Sequence, residues 1–245
     1  MQDLELWFNK ARLIVQVENK PLNINNLKFS KDIFQMSIEI KGRGRIKEYF
    51  KIFKGHQNNR VEVIDANSNL RQIILLVKEP EREYKVSNWN YKKNKYIEEI
   101  VKTQDFLRKY LCGFDEKHLF ITQLPKDQGL VNKVKDAHRI LKPNIVTVNQ
   151  NKTNRIKRQG EWFFIPINSD QQDLISENQR NIIKKVRIGR GRNHHIADQF
   201  LEIDGYNFVK GKICHVEHKT LKLHGWFEVI RNLESSISTG IKWID

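Results

Sequence analysis

Residues 187–228 hold most of the side chains in this chain that could do chemistry. The stretch opens as Arg187-Ile188-Gly189-Arg190-Gly191-Arg192-Asn193-His194-His195, passes Asp198, and continues through Cys214-His215-Val216-Glu217-His218 to His224, so that five of the eight histidines fall within it. Imidazole titrates near neutral pH and ligates metals, whereas guanidinium carries a rigid fork of donors that matches phosphate oxygens. The two kinds of group side by side point to nucleic acid as the partner.

The histidines admit three readings. In a strand, His215 and Glu217 share one face, a turn can bring His218 round, and the return strand carries His224 nearby. His215, His218 and His224 are then candidate ligands for zinc or manganese, with Asp198, His194 or His195 completing the set. Without metal, His195, His215 and His218 are candidate catalytic residues. His195 and His215 would serve as general acid and base in cleaving RNA, whose own hydroxyl is the nucleophile, while Arg190 or Lys212 stabilises the pentacoordinate phosphorus. The third reading is structural, because His-x-x-His arises by chance in a chain with eight histidines and lacks here the helical setting of a zinc-protease motif. Glu39-Ile40-Lys41 has a nuclease-like spacing of carboxylate and lysine, but Asp32 is poorly placed to share a sheet edge with it.

The phosphate-binding candidates are more extensive. Residues 180–192 contain Arg180, Lys184, Lys185, Arg187, Arg190 and Arg192 and no acidic residue. The tetrapeptide Gly-Arg-Gly-Arg occurs twice, at 42–45 and at 189–192, and so also offers Arg43 and Arg45. Glycine lets a backbone approach a phosphate, and arginine grips it without reading base sequence. Residues 89–96, Trp-Asn-Tyr-Lys-Lys-Asn-Lys-Tyr, interleave aromatics with Lys92 and Lys93, which suits base stacking beside backbone neutralisation. The bland alternative tucks those aromatics onto the core. Residues 151–159 are polar and basic and include Arg158. The following Gly160 permits an unusual backbone, so that Arg158-Gln159-Gly160-Glu161 is either a cleft lining or a plain strand start with a surface ion pair.

Composition narrows the classes. A net charge of +15 over 245 residues favours polyanionic partners. Hydrophobic content of 39% with 10% aromatic residues still supports a folded core. No apolar run reaches the ~18 residues of a spanning helix, and the first residues lack the basic start of a signal peptide, so a cytoplasmic protein without a membrane partner is expected. Two cysteines, Cys112 and Cys214, allow neither a disulfide framework nor a four-thiolate zinc site. Phosphate-loop, dinucleotide, kinase, nucleophile-elbow, RRM and zinc-finger signatures are absent from the sequence.

These groups must be positioned by elements that the hydrophobic pattern predicts. Alternation predicts strands over 11–17, 33–40, 46–53, 60–64 and 71–77, the last apolar on both faces and so central in its sheet. Tyr96, Ile97, Ile100, Val101, Leu107, Tyr110 and Leu111 recur at three- and four-residue spacing, which predicts a helix ended by Gly113. A strand over 118–122 and a helix over 130–141 closed by Pro143 follow, then a strand over 161–167 and a polar helix over 170–186. Strands over 199–203 and 206–213 flank the hairpin dipeptide Asp204-Gly205, and 221–230 returns.

The expectation is an α+β protein of two lobes. Residues 1–150 form a mixed β-sheet lobe with two helices, and residues 151–245 a β-rich lobe with the basic loop and histidine cluster, the two meeting at a basic cleft. Its expected function is binding of nucleic acid, RNA slightly favoured over DNA, by Arg43, Arg45, Lys92, Lys93, Arg158, Lys184, Lys185, Arg187, Arg190 and Arg192, with no cofactor. The first alternative is a nuclease using the carboxy-terminal histidines, with zinc or manganese or metal-free. The second is a structural subunit, with protein partners, of a ribonucleoprotein or mobile-element assembly.

Overall fold

The computed structural model describes residues 3–22, 24, 29–41, 47–115, 118–125, 131–189, 194–216, 218–233 and 241–242. Arg43 and Arg45 of the first Gly-Arg loop, Arg190 and Arg192 of the second, and Glu217 lie outside the described residues. The structure is a strand-rich mixture of α and β with four α-helices among the described residues. The chain divides into two compact units, one formed chiefly by Met1–Phe114 and Leu119–Val134, the other chiefly by Lys135–Glu234. Among the described residues no helix is long and apolar enough to cross a membrane.

In the first unit α1 (Leu4–Lys10) starts where the Asp3 carboxylate accepts from the Leu6 amide at 3.2 Å, and it buries Leu4 and Phe8. β1 (Val15–Glu18), β2 (Gln35–Lys41) and β3 (Lys47–Phe53) form a sheet with β3 in the middle, parallel to β1 and antiparallel to β2, and the short strand Ile241–Lys242 pairs with β2. The expected strands β4 (Arg60–Asn67) and β5 (Gln72–Glu79) follow, and β5 is central in its sheet as its two apolar faces require. Met36 and Ile38, Phe50 and Ile52, Val61 and Val63, and Ile73, Leu75 and Val77 each repeat at a period of two and meet in one core with α1.

The helix expected from 96 to Gly113 is not formed. Its residues belong to β7 (Lys95–Thr103), which pairs with β6 (Arg82–Asn90), and to β8 (Phe106–Asp115), which pairs with β5. β9 (His118–Gln123) completes the sheet β4-β5-β8-β9. Turn chemistry overrode the apparent helical spacing. The Asn90 side-chain oxygen accepts from the amides of Lys92 and Lys93, both at 3.0 Å, and Asn94 takes a positive φ of 47°, which together fold the chain back after β6. The break at Gln104-Asp105 then splits the supposed helical pattern between two strands of β-branched and aromatic residues.

The second unit contains the rest. α2 (Val134–Leu141) is the expected helix and ends before Pro143 as expected, and Pro143 then stands at the N-cap of a further helix, α3 (Asn144–Gln150). β10 (Lys157–Gln159) and β11 (Trp162–Pro166) form a hairpin, and α4 (Ser169–Glu177) is started by a capping box of Asn168 and Gln171. The helix expected over 170–186 therefore stops at Glu177. A short 3-10 turn at Gln179–Asn181 leads into β12 (Ile183–Ile188), because Asn178 caps the helix and the isoleucine- and valine-rich segment beyond it fits a pleated edge. β13 (His195–Ile203), β14 (Tyr206–Cys214) and β15 (Leu221–Arg231) complete a six-stranded sheet of order β10-β11-β15-β14-β13-β12.

This sheet curls over its own core. Phe164, Ile188, Ala197, Val209, Ile213, Leu223, Phe227 and Val229 form one apolar cluster drawn from β11 to β15. On the opposite face Ile175 of α4 packs with Leu201, Phe208 and Trp226, and Val146 of α3 packs with Phe163 and Ile165. The curl is tight enough that a Cβ placed on Gly189, just after β12, would lie 3.4 Å from the Trp162 ring of β11.

Candidate functional site

His195, His215 and His218 come together in the second unit. Antiparallel pairing of Ile196 with Cys214 sets His195, the first residue of β13, beside His215, the residue after β14. The turn from β14 to β15 then returns His218 to the same place. The rings of His195 and His215 stack at 4.3 Å between centroids, and His218 stands 4.7 Å from His215 and 5.9 Å from His195. One potential ligand atom from each ring lies within 4.8 Å of the others.

Their surroundings differ. His195 is 1% exposed, while His215 and His218 are half-buried. Burial, then the neighbouring His215, His218 and His194, push His195 down to about 3, so its ring is neutral at ordinary pH. Among the described residues neither of its ring nitrogens has a hydrogen-bond partner. Across the cluster lies the β10–β11 turn, held to the β14–β15 turn by the Gln159 side-chain amide, which donates to the Lys219 carbonyl at 2.6 Å. Gly160 occupies that turn with a positive φ of 56°. A Cβ there would stand 3.1 Å from His218 Nε2 and 3.9 Å from His195 Nε2, so the glycine leaves open the space beside both atoms.

Other expected members of the site are elsewhere. His224 is exposed on β15 and does not join the three-histidine cluster. The Asp198 carboxylate accepts from the Lys212 backbone amide at 2.8 Å, where Gly211 bulges, and Lys212 is itself exposed. Arg158 folds back, donating from Nε to the Gly160 carbonyl at 2.9 Å. Lys184, Lys185 and Arg187 are exposed on the edge strand β12, where a positive φ of 54° at Lys185 breaks the regular pleat.

The first unit carries a second array. β6 and β7 pair only with each other among the described residues, and they form a long hairpin with Lys92 and Lys93 in its turn. Tyr91 is 89% exposed and Tyr96 is 68% exposed, and Trp89 meets Tyr96 edge-to-face at 5.0 Å. The shaft mixes charges, with Lys102 and Glu83 paired at 2.6 Å and Asn88 bonded to Glu99 at 3.0 Å. Its tip, residues 89–96, holds Lys92, Lys93 and Lys95 and no acid. The aromatics are therefore presented outward and not tucked onto the core, a fact hidden by the expectation of a helix.

The clasp of Gln159 to Lys219 had no signal in the sequence, whereas Gly160 was visible as a glycine between charged residues but had no assigned neighbour. Compared with known protein families, curated proteins and solved structures, the chain matches none, so both arrays are read from their own geometry.

Proposed function

We propose that this protein binds nucleic acid in the cytoplasm, with RNA favoured over DNA. The observation that carries the reading is the β6–β7 tip, where a nearly fully exposed tyrosine and an exposed aromatic pair share one turn with three lysines. Lysines of this kind neutralise phosphates, and exposed rings stack on bases that are not already stacked in a duplex. In the second unit, Lys184, Lys185 and Arg187 are a separate exposed basic array on β12, and the sequence carries four further arginines in its two Gly-Arg-Gly-Arg segments. Two unpaired cysteines suit a reducing compartment.

The convergence of His195, His215 and His218 raises a second reading, cleavage of the bound strand. Its metal-free form needs a general acid and base that titrate near the working pH, and the burial that holds His195 down to about 3 weighs against that role.

Binding of a fluorescent single-stranded RNA across a salt series tests the first reading. Replacing Lys92, Lys93 and Lys95 together by alanine should reduce the slope of log affinity against log salt by about 2, at ~0.7 per phosphate contact on a single strand. Tyr91→Ala should cost ~1–3 kcal/mol of binding with the slope unchanged. A triple variant that keeps the parent slope would remove the hairpin tip from the interface.

A further inference from the structure

We infer that His195, His215 and His218 hold one zinc-class divalent cation, with a fourth position open beside Gly160 for water or an exchangeable ligand. The inference stands on the second unit alone and does not depend on nucleic-acid binding.

Geometry is the first support. Nitrogens bound to one tetrahedral zinc at ~2.0–2.1 Å lie about 3.3 Å apart. The three ligand atoms already lie within 4.8 Å of one another, so the rings need to close by no more than about 1.5 Å. His215 and His218 lie in the connection after β14, outside the strand ladder, while His195 is fixed by the pairing of β13 with β12 and β14.

The buried ring is the second. A neutral imidazole has one N–H donor and one acceptor nitrogen, and buried polar atoms in folded proteins nearly always have partners. At 1% exposure, His195 has none for either nitrogen among the described residues. A cation would satisfy the acceptor. The adjoining turn also holds a complementary buried acceptor, because the side-chain oxygen of Gln159 likewise has no partner among the described residues. Histidines that ligate metals commonly give their other N–H to such an oxygen.

Gly160 supplies the third. A side chain at 160 would begin 3.1 Å from His218 Nε2 and 3.9 Å from His195 Nε2, the space a bound ion and its fourth ligand need. The donor set then selects the metal. Three imidazoles without a thiolate or carboxylate among the described residues suit zinc over magnesium, calcium or manganese, which favour oxygen ligands. Cys214 is not in the cluster, and its sulfur instead lies 3.9 Å from the Thr220 hydroxyl. Three protein ligands with one open position is the arrangement of exchangeable zinc sites and not of closed structural ones.

The experiment is calorimetric titration of the full chain, freed of nucleic acid and stripped by chelator, with Zn²⁺ alone, followed by the visible spectrum of Co²⁺ in the same site. The expected result is one equivalent of zinc and a tetrahedral cobalt spectrum. His215→Ala and His218→Ala, each confirmed as folded by circular dichroism, should weaken zinc by more than the ~10–100-fold typical of losing an outer partner of a ligand. His224→Ala should bind as the parent does. Failure of the parent chain to take up zinc, parent-like uptake by both His215→Ala and His218→Ala, or loss of uptake in a folded His224→Ala would each overturn the site.

Discussion

His195 and His215 lie face to face, 4.3 Å between ring centroids, one opening β13 and the other following β14. The contact is a product of strand register, since Ile196 pairs with Cys214 and antiparallel geometry places the next residues opposite each other. A register slip would therefore dissolve the cluster while leaving every strand intact.

Gly160→Ala tests how closely the β10–β11 turn is fitted to these rings. The substitution combines a strained positive φ of 56° with a new atom 3.1 Å from His218 Nε2. It should lower stability by ~1–2 kcal/mol through the left-handed backbone alone and weaken zinc in addition. Urea unfolding with and without Zn²⁺ reads both effects. Parent-like stability in the metal-free state would contradict the backbone argument.

Glu79 and Arg108 form a buried ion pair in the first unit. Nη1 of the arginine donates to Glu79 Oε2 at 2.9 Å, the side chains are 10% and 4% exposed, and Glu79 Oε1 also accepts from the Phe34 amide at 2.8 Å. Removing one partner of such a pair strands a buried charge. Glu79→Ala should cost ~3–5 kcal/mol, with Glu79→Gln milder because its side-chain oxygen still accepts from Phe34. A loss under about 1 kcal/mol for the alanine variant in urea denaturation would show that the arginine finds other solvation.

His138 on α2 gives stability a pH dependence. Burial first, then the Arg158 and Lys142 charges, hold it below its ordinary 6.5, against an opposing pull from Asp115. The unfolded chain thus takes up a proton near 6.5 that the folded chain refuses until a lower pH. The contribution is complete above 6.5 and is lost as pH falls through the folded value. Urea unfolding from about pH 7 to about pH 5 should show a smaller fall in stability for His138→Gln than for the parent. Equal falls would assign the dependence to other groups.

Sequence alone determined the elements whose signal is local. The period of two placed β2 to β5, and the double-faced apolar run marked β5 as central. The Asp204-Gly205 dipeptide marked the β13–β14 turn, where both residues take the positive φ, 49° and 81°, that a tight hairpin requires. Tertiary structure decided the rest because the deciding contacts are remote in sequence. Residues 96–111 have a helical spacing of apolar side chains, yet β8 is drawn into a sheet by β5 and β7 is turned back on β6 by Asn90. The histidines follow the same logic. His215-x-x-His218 and His224 look equivalent as neighbours along a strand and its return, but only the pairing of β13 with β14 brings in His195, and only the curl of the sheet brings Gly160 against the cluster while His224 stays exposed on β15. Residue types state which chemistry is available, while register and curvature decide which side chains meet.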